Sequence, residues 1–87
     1  MTMNNKVLVK LYVPKIQEEY DVLIPLNKRI CNVIPLLIKA VKELSRGYYD
    51  PKDETPLLYD KLSAKQYELK NTVKSSNIKN GTEIILI

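Results

Sequence analysis

Histidine is absent from this chain of 87 residues, cysteine occurs once, and glycine only twice. Each scarcity closes a class of chemistry. Without histidine the commonest general base is missing. One cysteine and no histidine make no His/Cys cluster for zinc. Gly47 and Gly81 are too few and too far apart to build a phosphate-cradling loop. The lone Cys31 has no partner for an internal disulfide, which fits a reducing cytoplasm. Near a helix start Cys31 could act as a thiolate nucleophile, but it reads better as a small buried or half-buried helix residue. Asp50, Asp53 and Glu54 lie close together, yet the spacing and terminal bidentate glutamate of an EF-hand are missing, so they read as a solvated loop. No enzymatic activity, cofactor or metal is expected.

Long hydrophobic runs are missing too. The longest apolar stretch lies around Val33 to Val41, far short of the ~20 residues that span a bilayer. The polar opening from Met1 to Asn5 reads as a flexible N-terminus without a signal peptide. A chain of this length makes one domain, here residues 6–87. It buries only about 60–65% of its unfolded surface, so its core is thin.

Charge is the one excess. The net value is +4, and lysine carries it. From Lys61 onward, Lys61, Lys65, Lys70, Lys74 and Lys79 face only Glu68 and Glu83. Such a surplus can mark an anionic partner. These lysines are scattered, arginine is scarce, and no aromatic-basic or glycine-rich motif accompanies them. They read as a solvated surface, and a nucleic-acid partner is disfavoured.

What is present is patterned apolar sequence. Lys6 to Val13 alternates, with Val7, Val9, Leu11 and Val13 on one face and Lys10 on the other, and Pro14 ends this strand. Lys15 to Glu19 makes a short hairpin connection. Tyr20 to Ile24 is the second strand, with Tyr20, Val22 and Ile24 on one face and Pro25 as its stop. Ile30, Val33, Ile34, Leu37, Val41 and Leu44 then recur at helical spacing and form one core-facing stripe. Gly47 is placed to terminate that helix at C′. Pro35 would sit at the sixth helical position and lose a hydrogen bond. Either the first turn is irregular or the helix starts nearer Asn32 as N-cap. A distorted first turn is the expectation.

Tyr48 to Pro56 reads as a polar loop, and Leu57-Leu58-Tyr59 as a short strand. A weak strand or turn is expected near Gln66 to Leu69, and irregular chain with one 3₁₀ turn from Thr72 to Ile78. Lys79-Asn80-Gly81 turns into a last strand, Glu83 to Ile87. The order gives an α+β class, a sheet with a helix over one face and water on the other.

That order, a long hairpin crossed by a helix, resembles the ubiquitin β-grasp, with a mixed sheet of four to five strands on one helix. Ile30-Cys31-Asn32-Val33 resembles the opening of the ubiquitin-type helix, and Leu57-Leu58-Tyr59 its third strand. Glu68 to Ile78, followed by Asn80-Gly81, resembles the closing stretch. Within that superfamily the chain is most similar to the YukD/EsaB group of small bacterial proteins associated with type VII secretion. The likeness rests on Tyr20-Asp21-Val22-Leu23-Ile24-Pro25, the helix from Ile30 to Leu44, the Asn77-Ile78-x-Asn-Gly turn and an ending on the strand. It covers Lys6 to Ile87. The polar loop from Tyr48 to Thr55 and Pro35 depart from it.

The resemblance implies a cytoplasmic, protein-binding adaptor that is accessory to or regulates a type VII secretion system. Modifiers and sulfur carriers of this superfamily need a C-terminal diglycine on a slim tail. Leu86-Ile87 is bulky and reads as part of the sheet, so conjugation is not expected. If Ile84 and Leu86 point to the core, Ile85 and Ile87 point outward, and Leu8, Tyr12 and Leu23 share that outer face. Leu58 is expected to join them. Such a face marks a protein contact, a secretion-machinery component or a second copy of the chain. A one-residue register shift would exchange the inner and outer sets.

Overall fold

The computed structural model describes residues 5–87. The flexible segment expected at residues 1–5 lies outside the described residues except for Asn5. The Asn5 carbonyl accepts the Leu26 N–H at 2.7 Å, so that residue belongs to the sheet margin.

Strict alternation builds the first hairpin. β1 (Lys6–Val13) and β2 (Glu18–Pro25) pair antiparallel without a bulge, from Lys6 opposite Pro25 to Val13 opposite Glu18. Val7, Val9, Leu11 and Val13 are buried on one face, as are Val22 and Ile24 opposite them. β2 begins two residues earlier than expected. Gln17 takes the left-handed conformation (φ 54), and this closes the turn in time for Glu18 and Glu19 to enter the ladder.

The helix α1 (Ile30–Leu44) starts at Ile30, so Asn32 is not its N-cap. Arg29 holds that position without a side-chain cap bond. The orphan N–H groups of Ile30 and Cys31 donate instead to the carbonyls of Asn71 (2.8 Å) and Leu69 (3.1 Å). A distant loop thereby caps the helix. The Asn32 N–H reaches only three residues back, to the Arg29 carbonyl, so the first turn is tight, as Pro35 led us to expect. Pro35 stays inside an unbroken helix. It deprives the Cys31 carbonyl of its partner, and both residues are exposed, so water can satisfy that group.

The C-terminal stop differs from expectation by one residue. Ser45 is the C-cap, and Arg46, not Gly47, occupies C′ with φ 56. The Gly47 N–H donates to the Lys42 carbonyl (2.7 Å) and the Arg46 N–H to that of Glu43 (3.1 Å), which is a Schellman closure. Leu44, counted on the core stripe, is exposed and lines a groove with Ile16 and Tyr20 at the margin of the core.

β3 (Leu58–Asp60) and β4 (Glu83–Leu86) complete the sheet in the order β2-β1-β4-β3. β4 runs parallel to β1 and antiparallel to β3. The expected strand near Gln66 to Leu69 is reduced to one bridge, Gln66 opposite Tyr59. A 3₁₀ turn at Lys74–Ser76 falls inside the irregular stretch. The core lies between α1 and the inner sheet face, where Ile30, Val33, Leu37 and Val41 join Leu11, Ile84 and Leu86. At about 25 cal/mol per Å², each fully buried Leu or Ile side chain contributes on the order of 2 kcal/mol.

The loop from Tyr48 to Pro56 is less polar than its sequence suggests. Tyr49, Pro51 and Pro56 are buried. The Ser45 hydroxyl accepts the Tyr49 N–H at 2.9 Å, and burial first, then the Glu54 charge, raises the phenol pKa.

Candidate functional site

The sheet face away from α1 carries the side chains that β1, β2 and β4 do not bury. Register arranges them in rows. Leu8 stands opposite Leu23, and both are exposed, at 46% and 60%. The next row is charged, with Asp21 opposite Lys10 and Lys10 opposite Glu83. Lys10 Nζ lies 3.7 Å from Asp21 Oδ1. Beyond it Tyr12 faces Glu19 on one side and Ile85 on the other, and Ile85 faces Tyr59. Tyr12, Ile85 and Tyr59 are all half-buried.

The residues expected to form one apolar patch therefore form two. Leu8 and Leu23 make one island. Tyr12 and Ile85 make the other, about 13 Å away along β1 at 3.3 Å per residue. The charged row between them adds little stability, because its pairs are solvent-exposed.

Lys61 roofs the second island. Its ammonium lies 5.3 Å from the Tyr12 ring centroid, within cation–π range. The same nitrogen is 3.4 Å from Glu83 Oε1 and 3.9 Å from Glu19 Oε2. Two carboxylates from different strands thus hold one lysine over an aromatic ring. A partner covering this island would displace or engage that lysine.

Leu58 does not belong to this face. It pairs with Leu86 and is fully buried, so its side chain points to the core. The outward residue of β3 is Tyr59, opposite Ile85. The expectation failed because Leu57, Leu58 and Tyr59 are all apolar, and alternation cannot choose a face in such a run. Ile87 is exposed, and its backbone exchanges hydrogen bonds with Leu57 (2.8 and 3.0 Å), which extends the β3–β4 pairing.

Ile87 also borders a feature absent from the sequence reading. A groove of about 490 Å³ opens at that end of the sheet, lined by Pro14, Tyr49, Thr55, Pro56, Leu86 and Ile87. An ion pair between Lys15 and Glu54 spans it. Nothing periodic in the loop sequence announced it. The acidic loop residues have other work, for Glu54 pairs with Lys15 and Asp50 with Lys42 at 3.6 Å.

Cys31 corrects a further expectation. It is exposed, since one residue beyond buried Ile30 the helix has turned its side chain about 100° off the core stripe. Elsewhere, the Tyr67 hydroxyl donates to Asp60 Oδ1 at 3.2 Å, and Asp60 also accepts from the Ser63 backbone N–H and hydroxyl. The Ser63 N–H, then its hydroxyl, hold the Asp60 carboxyl below its ordinary range. Burial, then the Asp60 charge, raise the Tyr67 phenol. This cluster fastens the turn after β3.

Solved structures of known proteins share this arrangement over nearly the whole chain. The ubiquitin-like domain of the Mycobacterium tuberculosis type VII secretion protein EccD1 superimposes with a TM-score of 0.75 at 11% identity, covering 94% of this chain and 97% of that domain. The fold is a ubiquitin-like β-grasp. The same architecture recurs, at a TM-score of 0.70 and 10% identity, in the EccD5 ubiquitin-like domain of Mycobacterium xenopi, with 97% and 94% covered. A chain of a toluene 4-monooxygenase complex matches equally well, with a TM-score of 0.75, 15% identity, and 93% and 95% covered. No protein-family model and no curated protein sequence matches the chain. Among the described residues, no helix is long and apolar enough to cross a membrane.

Proposed function

We propose that this β-grasp domain is a non-enzymatic, non-conjugating binding module that docks a protein partner on its open sheet face. One observation carries the reading. Leu8 and Leu23, and beyond the charged row Tyr12, Ile85 and Tyr59, stand on a face that no other strand or helix among the described residues covers. Apolar groups ordered this way on a small domain favour a protein contact. Lys61 and the Asp21, Lys10 and Glu83 row would set the orientation of the partner.

The likeness to EccD ubiquitin-like domains supports a place beside a type VII secretion system, as an accessory or regulatory component in the cytoplasm. Another solved chain that this fold matches belongs to an ESX-5 inner membrane complex, where the matched part is 21% of that chain. A role as an adaptor is consistent with a β-grasp unit standing inside a larger assembly there.

The test is affinity capture from host lysate with solubilised membranes, using N-terminally tagged protein. Beside it run Leu23→Asp, Ile85→Asp and the double variant, each checked for folding. Secretion components recovered with the wild type and lost with the double variant are the expected result. Equal recovery by the wild type and the double variant would remove the sheet face from the reading. A ladder of covalent adducts would replace binding with conjugation.

A further inference from the structure

β2 is the outer strand of the sheet, and its far edge has no partner among the described residues. The alternation of antiparallel bonds fixes which groups are free there. The Asn5–Leu26 bond on one side, and the Lys10 and Gly81 bonds between β1 and β4, show that Val7, Val9, Leu11 and Val13 turn their backbone groups towards β2. Their partners Ile24, Val22, Tyr20 and Glu18 are thereby satisfied. The N–H and C=O groups of Glu19, Asp21 and Leu23 point out from the edge. They lie along a span of about 13 Å.

Long edges of this kind are usually blunted by a bulge, a mid-strand proline or charged side chains, and the charges on β2 are all acidic, Glu18, Glu19 and Asp21. β2 is eight residues long, its register is unbroken, and Pro25 is only its last residue. The edge is bordered on the helix side by a groove of about 360 Å³ lined by Ile16, Tyr20, Leu44 and Tyr48, with Glu18 at its rim. Leu44 and Tyr48 are exposed by 54% and 80%. On the outer side stand the carboxylates of Glu19 and Asp21.

We propose that this edge is a strand-addition site for an extended segment of a partner protein, apolar on one face and rich in lysine or arginine on the other. The backbone of that segment would pair with Glu19, Asp21 and Leu23. Its apolar side chains would enter the groove beside Tyr20 and Leu44, and its cations would lie over Glu19 and Asp21. Charge decides against a second copy of this chain as the occupant. Two β2 edges paired about a two-fold axis would bring the run Glu18, Glu19 and Asp21 against itself, and Glu18 has no ion-pair partner among the described residues to relieve it. The site shares Glu19, Asp21 and Leu23 with the margin of the open face, but it engages their outward backbone groups, so protection of those amides tests it apart from binding on the face.

The probe is a blocked heptapeptide alternating valine and lysine, added to the full chain while amide exchange is followed by NMR. The expected result is slowing of exchange at Glu19, Asp21 and Leu23 by at least about tenfold at saturation. A peptide with glutamate for lysine should bind at least about tenfold more weakly. A peptide N-methylated on the nitrogens facing β2 should give no protection. The Asp21→Pro variant removes an outward N–H that the β1 ladder does not use, so it should fold and lose the effect. The N-methylated peptide on wild-type protein carries the test if that variant does not fold. Absence of protection at all three amides would overturn the proposal. So would perturbation confined to Leu8 and Ile85, which would mean face binding. Protection that grows with protein concentration without peptide would overturn it in favour of self-association.

Discussion

The β1–β2 hairpin and the β3–β4 return belong to one sheet, yet they were unequally readable. In the hairpin, Lys6, Lys10, Glu19 and Asp21 mark the outer face, and the buried set follows at every second residue. The stretch expected as the third strand, Leu57, Leu58 and Tyr59, carries no polar mark, and the strand that forms, Leu58–Asp60, is only three residues long. Its facing is dictated by its partner, since Leu58 must lie opposite buried Leu86. Polar residues, more than apolar ones, tell a strand which way to face.

The sharpest way to break that contrast is to exchange the roles of Leu58 and Leu23. Leu58→Ala should cost about 2–5 kcal/mol in urea unfolding, because it empties a fully buried site. Leu23→Ala should stay within about 0.5 kcal/mol, as an exposed substitution. Similar costs for the two would return Leu58 to the outer face. A smaller effect concerns the turn that leaves β3. Tyr67→Phe removes the hydrogen bond to Asp60 and should cost about 1 kcal/mol. No loss would mean that the hydroxyl adds nothing to the bonds that Ser63 and the backbone already make in this turn. At the far end of the helix, Arg46→Gly relieves a left-handed residue at C′ and should stabilise by about 0.5–1 kcal/mol in the same assay.

The smallest effect is pH dependence. The folded Asp60 pKa is depressed, chiefly by the Ser63 N–H, so its contribution is present above the unfolded carboxylate pKa of about 3.9. That contribution is lost as pH falls through the folded value. Acid unfolding should therefore be shallower in Asp60→Asn than in the wild type below about pH 4. Identical acid limbs would mean that the carboxylate gains nothing from its turn.

Legibility in the sequence follows the same contrast. The helical stripe from Ile30 to Val41 and the alternation of β1 and β2 were readable because both have a period. The cap on α1 was not, since Asn71 and Leu69 supply carbonyls that any residue would carry. Tyr49 was hidden for a related reason, because it enters the core from a loop without periodicity. On the candidate face, Leu8, Tyr12, Leu23 and Ile85 were found correctly as outward residues. Their division into two islands was not, because it depends on register across β1 and β4 and not along either strand.

One earlier detail bears on how this domain comes into being. Leu8 donates its N–H to Asn80 Oδ1 at 2.8 Å, across a separation of 72 residues. β1, one of the two inner strands of the sheet, cannot complete its bonding until β4 has left the ribosome. Contacts between such distant segments are slow to form. During synthesis the hairpin and helix must wait with the inner edge of β1 open, which leaves a nascent chain that chaperones and proteases can still inspect.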